Sequence, residues 1–344
     1  MNFLSDNAYG TWPEILDSLT RAAAGAAPSY GGDAVTARVT ERLTAVFGRA
    51  VAAFPVISGT AANALAIATL CPPHGAVFCH AEAHIAVDEC GAPEFFTHGA
   101  KLVGVDDENG KLTPASLEAA LAHFHKGFVH HAQPAILSLT QSTELGTVYT
   151  PAEITALAAL AHAHGMKVHM DGARFANALA HLGVSPAAAT WAAGIDVMSF
   201  GATKAGAIAA EAVIFFDPAD AGDFEYRRKK TGHLISKMRF VSAQLETYLA
   251  DDLWLARAAC ANALALRLAE GLKTVDGVTL AHPVEANAVF AWLPDGLVRR
   301  LRDGGAAFYD WGPPSGGRTL VRLVTSFATP QSDVERFVEL ANSE

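Results

Sequence analysis

The chain has 344 residues, of which 51% are hydrophobic and 17% are charged. This length predicts about two domains, and the hydrophobic content can support a large buried core. The 25 Lys and Arg residues against 35 Asp and Glu residues give a net charge of −10. That charge argues against nucleic acid or an anionic membrane as the main partner, and leaves small polar or charged substrates open.

The first residues, MNFLSDNAYG, lack the basic and apolar regions of a signal peptide, and no apolar run is long enough to predict a membrane-spanning helix. We therefore expect a cytoplasmic protein. The four cysteines, Cys71, Cys79, Cys90 and Cys260, show no C-x-x-C pair and no regular spacing. We expect them to be reduced and buried, as small hydrophobic residues are.

Short apolar runs alternate with alanine-rich segments from about Val51 to Phe216, as expected of a mostly parallel sheet covered by helices. The predicted strands are AVAAFPVIS, AVFCHA, KLVGVD, AILSLT, KVHMD, DVMSFG and EAVIFF. Helices are predicted at TAANALAIATL, TPASLEAALAHF and TPAEITALAALAHAHG. The last two begin with Thr-Pro followed by an acidic residue, an N-cap signature, and the third ends at Gly165.

The pattern changes after Asp217, first to the basic segment EYRRKKTGHLISKMRF and then to helical periodicity through SAQLETYLADDLWLARAACANALALRLAEGL. Further strands are predicted in GVTLAHPVEANAVFAWLP and GRTLVRLVTSF, with helices between them and at the end. We expect a large α/β domain over residues 1–240, including an N-terminal arm over 1–15. A smaller C-terminal α+β domain is expected over residues 241–344.

Four features follow predicted strands or begin helices, where open α/β sheets bind their ligands. The first is Ser58-Gly59-Thr60, which stands between a strand and a helix. Free backbone N–H groups and the positive end of the helix dipole make such a turn a phosphate site, and the Thr60 hydroxyl adds a donor. An ordinary helix N-cap is the alternative explanation.

The second feature is Asp171, which ends the apolar strand KVHMD. A carboxylate there needs a positive partner, either a protonated ring nitrogen or Arg174. The third is Lys204 in MSFGATKAG, where burial would lower the pKa of the amine and make it a nucleophile; a lysine that snorkels from a strand end is the alternative. The fourth is His84, which could lie flat against an aromatic ring or be structural.

A phosphate site, a carboxylate and a lysine in this order are what pyridoxal phosphate requires. The phosphate anchors this cofactor, and the lysine holds its aldehyde as a Schiff base. The carboxylate keeps the pyridine nitrogen protonated, so that the ring accepts electrons from a developing carbanion. The combination is much more specific than any of its parts.

The sequence also resembles the low-specificity L-threonine aldolases, which are fold-type I pyridoxal phosphate enzymes of the α/β class. The similarity extends over nearly the whole chain through FLSDNA, YGGD, SGTAAN, EAHI, HMDGAR, SFGATKAG and RLVTSF. It implies retro-aldol cleavage of threonine, allo-threonine or a related β-hydroxy-α-amino acid to glycine and an aldehyde. It also implies a homo-oligomer, a dimer or a dimer of dimers, with active sites at subunit interfaces.

The resemblance assigns roles to individual residues. It implies Lys204 as the Schiff-base lysine, Asp171 as the partner of the pyridine nitrogen, and His84 as the residue stacked on the ring and a possible general base. Gly59 and Thr60 would hold the phosphate, helped by Ser199 or Thr203. Ser5, Arg174 and Arg322 would bind the substrate carboxylate, with Arg174 also beside the cofactor. His130 matches a second histidine proposed to assist proton transfer.

Two segments depart from the commoner family members. LTQSTELGT, residues 139–147, replaces an E-N-T-H-N type stretch, and SFGATKAGAIAAEAV replaces a SKGLGAPVGS-like run. Both resemble a subgroup that includes phenylserine aldolases, so L-threo-3-phenylserine is an alternative substrate. A fold-type I aminotransferase and a β-eliminating lyase are the remaining alternatives within the cofactor class.

Two further clusters have ordinary explanations. HFHKGFVHH brings together His123, His125, His130 and His131, but no acidic or cysteine ligand follows at zinc-site spacing, so we expect no metal-only site. The basic run Arg227-Arg228-Lys229-Lys230 is expected to be a solvated helix face rather than a nucleic-acid site. We hypothesise that part of this run reaches the phosphate site of a neighbouring subunit.

Overall fold

A single seven-stranded sheet forms the centre of the computed structural model, which describes residues 1–343. Its strands are β1 (Ala52–Val56), β2 (Gly75–His80), β3 (Lys101–Val105), β4 (Gln133–Thr140), β5 (Lys167–Gly172), β6 (Val197–Gly201) and β7 (Glu211–Phe215). The spatial order is β1-β7-β6-β5-β4-β2-β3, and β7 is antiparallel to both of its neighbours. Each strand overlaps a predicted segment, so the mostly parallel seven-stranded sheet is confirmed.

Nine α-helices accompany this sheet along the chain within the described residues. They are α1 (Pro13–Ala22), α2 (Ala34–Phe47), α3 (Gly59–Leu70), α4 (His84–Val87), α5 (Ala92–Phe96), α6 (Pro114–Leu121), α7 (Pro151–Ala163), α8 (Phe175–Leu182) and α9 (Phe224–Lys230). Alternate residues of β6 and β7 join different hydrophobic clusters. Val197 and Val213 pack in the cluster that includes α3, whereas Met198 and Ile214 join the main core. The sheet is therefore covered on both faces.

The predicted Thr-Pro starts of α6 and α7 are confirmed, although the capping-box partner is acidic only in α7, where it is Glu153; in α6 it is Ser116. The side chains of Thr113 and Thr150 each accept a hydrogen bond from the backbone N–H three residues later, and each forms a capping box. Gly165 follows α7 with φ of +76°, a left-handed conformation that glycine adopts at little cost. Local residue chemistry thus determines where these helices begin and end.

The strand directions bring several chain segments to one edge of the sheet. β1, β2, β4, β5 and β6 run parallel to one another, because β1 and β6 are both antiparallel to β7. Their carboxyl ends therefore lie along the same edge, together with the N-terminus of α3. This is the edge at which open α/β sheets bind ligands.

The C-terminal part of the chain forms a second sheet with its own core. Helices α10 (Arg239–Tyr248), α11 (Leu253–Leu272), α12 (Asp295–Asp303) and α13 (Gln331–Asn342) accompany strands β8 (Thr279–Leu280), β9 (Ala288–Pro294), β10 (Tyr309–Asp310) and β11 (Arg318–Val324). The four strands are antiparallel, in the order β10-β11-β9-β8. Leu268 of α11, Leu323 of β11 and Phe337 of α13 belong to a hydrophobic cluster separate from the main core. A smaller C-terminal α+β unit is thus present, as expected.

The two cores divide the chain differently from the predicted limits. Residue 240 lies inside α10, whose Leu245 and Tyr248 belong to the main core. Helix α11 contributes Trp254 to the main core and Leu268 to the smaller one. The passage from one core to the other therefore lies within α11, and the exact domain division stays a prediction.

The N-terminal arm also differs from its prediction as part of the large domain. Phe3 is fully buried in the smaller core. Its backbone N–H donates to the Ala307 carbonyl at 2.8 Å, and its carbonyl accepts from Val324 N–H at 2.9 Å. The first residues thus extend the C-terminal unit rather than the large one.

Two smaller expectations need correction. The helical periodicity after residue 241 is interrupted between α10 and α11, where Asp251 and Asp252 have φ of +53° and +54°. The four cysteines are free thiols, but only Cys71 and Cys79 are buried; Cys90 and Cys260 are exposed, so the expectation of burial is wrong for these two. Across residues 1–343, no helix is sufficiently long and apolar to cross a membrane.

Candidate active site

A cavity of about 230 Å³ lies at the carboxyl edge of the large sheet. Six residues predicted from the sequence line it: Gly59, Thr60, His84, Asp171, Thr203 and Lys204. The cavity wall also includes residues that the sequence did not single out, namely Asn7, Asn63, Glu89 and Glu211. The structure therefore brings the predicted helix terminus, carboxylate, histidine and lysine together around one space.

The N-terminus of α3 forms the anion-binding end of this cavity. Ser58 is its N-cap, and the Ser58 side chain accepts from Ala61 N–H at 3.3 Å. Gly59 and Thr60 occupy the first turn, where backbone N–H groups have no intrahelical acceptor. A Cβ at Gly59 would enter open space in the described structure, so nothing blocks the approach of a ligand. This end suits a phosphate group.

Asp171 lies at the end of β5 and is only 4% exposed. One carboxylate oxygen accepts from Ala173 N–H at 2.9 Å, and the other accepts from the Asn63 amide at 2.8 Å. Arg174 does not form the ion pair with Asp171 considered above. Its guanidinium instead binds Asp6. The Asp171 carboxylate is thus held in place while it still faces the cavity.

Lys204 lies in a short 3₁₀ turn, Thr203–Ala205, directly after β6. Burial, and then the positive charge of Arg174, lowers the pKa of Lys204 below its ordinary value. The carboxylates of Asp6 and Asp171 act in the opposite direction but do not reverse the shift. A larger fraction of this amine is therefore neutral and able to act as a nucleophile.

His84 begins α4 and is held by two glutamates. Its Nδ1 lies 2.9 Å from Oε1 of Glu89, and its backbone N–H donates to Glu144 Oε1 at 2.8 Å. The hydrogen bond with Glu89 raises the pKa of His84 above its ordinary value, against the opposing effects of burial and the Lys204 charge. The imidazole thus becomes a stronger base than an exposed histidine.

Two acids near the cavity, the partly buried Glu144 and the buried Glu211, add further titrating groups. Burial raises the pKa of both Glu144 and Glu211 to about 7, so each is partly protonated near neutral pH. Glu211 accepts from Thr203 N–H at 3.3 Å, beside Lys204 in the chain. A signal for Glu211 was available in the sequence, because it is the one charged residue in the strand EAVIFF.

The two predicted carboxylate-binding arginines differ in their partners. Arg174 donates from Nε and Nη2 to Asp6 at 2.7 and 3.0 Å, and Asn287 donates to the same carboxylate at 3.1 Å. Arg322, on β11, lies over the Trp311 ring at 4.5 Å. Its Nε is buried and has no hydrogen-bond partner among residues 1–343. Arg322 therefore retains hydrogen-bonding capacity that an incoming carboxylate can use.

Ser5 lies between Leu4 and Asp6, which contact Arg322 and Arg174 respectively. It caps a short 3₁₀ helix, Asp6–Ala8, by accepting from Asn7 N–H at 3.2 Å, and its hydroxyl is 3.4 Å from Asp6 Oδ1. The Leu4 carbonyl accepts from Arg322 Nη2 at 3.4 Å. The N-terminal segment thus contacts both arginines, and a direct contact of Ser5 with substrate stays a prediction.

Two predicted site residues do not join the cavity. Ser199 pairs with Asp171 across the sheet, but its buried hydroxyl lies 3.0 Å from His169 Nε2 and does not line the cavity, so a contact with the phosphate stays a prediction. His130 lies in an exposed loop that precedes β4 and packs against Phe128. That loop is at the amino ends of the parallel strands, opposite the cavity, so His130 does not reach the cavity of its own subunit and its proton-transfer role stays a prediction.

The histidine cluster and the basic run 227–230 were the two further clusters considered from the sequence. Within the described residues, no group of three or more His, Cys, Asp or Glu side chains is arranged to hold a metal ion. In the basic run on α9, Arg228 is buried with its guanidinium 5.8 Å from the Phe54 ring. Arg227 pairs with Asp223, whereas Lys229 and Lys230 are exposed. The expectation of a solvated face is therefore wrong for Arg228.

Comparison with known proteins agrees with this geometry. The sequence model of the family described as Beta-eliminating lyase matches residues 2–295. The chain belongs to this family. It is 44% identical to the low specificity L-threonine aldolase of Pseudomonas aeruginosa over 340 residues, which is 98% of this chain and 95% of that protein.

Solved structures give the same result. A threonine aldolase of Leishmania major superimposes with a TM-score of 0.93 at 30% identity, over 99% of this chain and 98% of that one. A serine palmitoyltransferase of Sphingomonas wittichii shares the fold, with a TM-score of 0.74 at 16% identity over 99% and 86% of the two chains. The resemblance to the threonine aldolases and the fold-type I architecture are both confirmed.

Proposed function

We propose that this protein is a pyridoxal phosphate-dependent aldehyde-lyase of the L-threonine aldolase type. It cleaves L-threonine, L-allo-threonine or related β-hydroxy-α-amino acids to glycine and an aldehyde. The observation that supports this most strongly is the single cavity that combines the Lys204 amine, the Asp171 carboxylate and the N-terminus of α3. Relatives named low specificity L-threonine aldolase, similar over nearly the full length, support the same reaction.

The residues of the cavity fit the cofactor. The first-turn N–H groups of α3 and the Thr60 hydroxyl suit its phosphate, the Asp171 carboxylate suits its pyridine nitrogen, and the imidazole of His84 suits the face of its ring. When bound, pyridoxal phosphate supplies an aldehyde that condenses with an amine and a protonated ring that accepts electrons. Lys204 would provide the amine in the resting enzyme, because burial lowers its pKa and so favours the neutral, nucleophilic form.

Two guanidinium groups are available for the substrate carboxylate. Arg174 is oriented by its two hydrogen bonds to Asp6. Burial, and then the like charge of Arg174, lowers the pKa of Arg322. A carboxylate between the two groups would relieve this repulsion, and planar guanidinium groups suit its bidentate binding. Holding the carboxylate fixes the torsion about the α carbon, which selects the bond that breaks.

His84 is the best-placed base for the β-hydroxyl proton. Because Nδ1 donates to the Glu89 carboxylate, Nε2 carries the lone pair. The side chain is 34% exposed and lines the cavity, so this nitrogen can accept a proton from bound substrate. Its raised pKa increases its basicity but also means that it becomes protonated, and inactive as a base, at a higher pH than an ordinary histidine.

The first prediction concerns Lys204. The protein loaded with pyridoxal phosphate should absorb visible light, lose that band on borohydride reduction, and convert threonine to glycine and acetaldehyde without an amino acceptor. Lys204→Ala should retain cofactor binding but lose the reducible band and nearly all turnover. Lys273→Ala, at an exposed lysine directly after α11, is the matched control and should retain both.

Other products would contradict the proposal in specific ways. A keto acid formed only with an amino acceptor would indicate an aminotransferase, and ammonia with a keto acid would indicate β-elimination. L-threo-3-phenylserine stays an alternative substrate that the named relatives do not specifically support. Relative kcat/KM values for threonine, allo-threonine and both phenylserine diastereomers would rank the substrates.

We also propose that the enzyme is a homo-oligomer. Phe95 and Tyr226 are 74% and 81% exposed, and both line one groove beside α5 and α9. Large aromatic side chains grouped on a surface are typical of a protein interface. Three points stay predictions. They are the choice between a dimer and a dimer of dimers, a contact of Lys229 or Lys230 with the phosphate site of a neighbouring subunit, and the cytoplasmic location.

A further inference from the structure

Asn63 connects two carboxylates of the active site. Its Nδ2 donates to Oε1 of Glu89 and to Oδ2 of Asp171, each at 2.8 Å. Oε1 of Glu89 is in turn 2.9 Å from Nδ1 of His84. A continuous row of hydrogen bonds therefore joins His84 to Asp171, and all four side chains line the cavity.

We propose that Glu89 and Asn63 are positioning residues of the aldolase reaction. Glu89 fixes the orientation and tautomer of His84, and Asn63 holds the Glu89 carboxylate in a fixed relation to Asp171. This inference rests on the proposed function, because it assigns the base of that reaction. It goes further than the proposed function because it assigns positioning roles to two residues that do not themselves accept the substrate proton.

Burial favours a functional explanation for this row. The Glu89 side chain is fully buried and Asn63 is 2% exposed. A buried carboxylate is costly unless it is hydrogen-bonded, and within residues 1–343 the Glu89 carboxylate has only His84 and Asn63 as partners. If Glu89 served only the stability of the fold, it would not need a hydrogen-bond partner, His84, that faces the cavity.

The orientation of the Asn63 amide is fixed by its neighbours. Both carboxylates accept hydrogen bonds, so the NH₂ group must point toward them, and its two hydrogens supply one bond each. The reverse orientation would place the amide oxygen against two carboxylates. Substituting a side chain without two donors would therefore leave both Glu89 and Asp171 short of a partner.

Several charges act on His84, and their signs predict the effect of removing Glu89. Glu89 and Asp171 favour the protonated imidazole, whereas Lys204 and burial disfavour it. Glu144 accepts a hydrogen bond from the His84 backbone N–H. Without the Glu89 charge, the effects of burial and of the Lys204 charge predominate, and both lower the pKa of His84. The acid limb of the profile of kcat against pH, where activity is lost as His84 becomes protonated, should then move to lower pH.

The second prediction compares Glu89→Gln with wild type and with Glu82→Gln, an exposed glutamate in the same segment. With threonine, Glu89→Gln should lower kcat between about 10-fold and 100-fold, leave KM nearly unchanged, and move the acid limb down by about one pH unit. NMR titration of histidine-labelled protein loaded with pyridoxal phosphate, assigned with His84→Asn, should show the same downward shift for His84. Glu82→Gln should match wild type in all three measurements.

The outcomes separate the inference from the proposed function. If wild type cleaves threonine but neither the acid limb nor the His84 titration moves in Glu89→Gln, the role of Glu89 is wrong while the aldolase function stands. If wild type does not cleave threonine, the function fails, and the NMR titration still reports whether Glu89 and His84 are coupled. A His84 in wild type that titrates below an ordinary histidine would overturn the inference without any variant.

Asn63→Leu tests the second residue. It removes both donors at similar volume, so kcat should fall while KM changes little, and the cofactor's absorbance should change because Asp171 loses one hydrogen bond. Unchanged kcat and absorbance in a folded Asn63→Leu protein would show that Asn63 has no positioning role.

Discussion

Arg174 and Arg322 show how the surroundings of a side chain determine its availability. Both are arginines near the same cavity, yet Asp6 already occupies Nε and Nη2 of Arg174, whereas Arg322 has a buried Nε without a partner in the described chain. Stacking on Trp311 holds the Arg322 guanidinium in place without using its donors. Arg322 should therefore contribute more to substrate binding than to the folded state.

The third prediction follows for Arg322→Ala. Loss of hydrogen bonds to a charged carboxylate costs about 1.5–3 kcal/mol, so KM for threonine should rise between about 10-fold and 150-fold. The visible spectrum of the bound cofactor should be intact. Arg318→Ala, on the same strand with its guanidinium bound to Thr279 and the Trp292 carbonyl, should have a normal KM. Normal substrate binding by Arg322→Ala would show that the carboxylate assignment is wrong.

The residues that sequence could identify share a local signal. Lys204, Asp171 and Thr60 each stand where an apolar strand ends or a helix begins. Asp6 has no such signal, because its partner Arg174 is 168 residues away in the chain. Asn63 could have been found, since it follows Gly59 by four residues and so shares a face of α3 with the phosphate site.

At the scale of elements, the sequence predicted the strands and the capped helices. It did not predict the helix break between α10 and α11 or the position of the loop that carries His130. Seven apolar runs became seven strands, and Thr113 and Thr150 capped their helices. The break between α10 and α11 depends on two consecutive aspartates with positive φ, a conformation that the helical periodicity does not indicate. His130 was assigned from resemblance alone, and the parallel direction of β4 places its loop at the opposite edge.

The fourth prediction concerns the turn after Lys204. Gly206 has φ of +116°, and a Cβ there would overlap the indole of Trp12. Gly206→Ala should therefore destabilise the fold by about 2–5 kcal/mol, the sum of backbone strain and overpacking. Gly183, at the end of α8, also has a positive φ, but a Cβ there would enter open space. Gly183→Ala should therefore lower the free energy of unfolding by only about 1 kcal/mol. Denaturant unfolding measures both, and equal losses would show that the Trp12 contact does not constrain the lysine turn.

At the scale of the whole molecule, the N-terminal segment connects the smaller core to the active site. Phe3 packs in that core, and the residues that follow place Asp6 against Arg174. Arg174 begins α8 of the large unit, whereas Arg322 lies on β11 of the smaller one. The carboxylate-binding region thus depends on contacts among three distant parts of the chain, which no local sequence pattern reports.

The fifth prediction tests this dependence with two substitutions in the same core. Phe3→Ala and Leu301→Ala each empty a fully buried position and should lower the free energy of unfolding by about 3–5 and about 2–5 kcal/mol. Only Phe3→Ala should also raise KM for threonine, because it releases the segment that holds Asp6 against Arg174. Leu301 is on α12 and has no such connection. If KM rises equally in both variants at matched stability, general loosening of the smaller core, rather than the N-terminal segment, controls substrate binding.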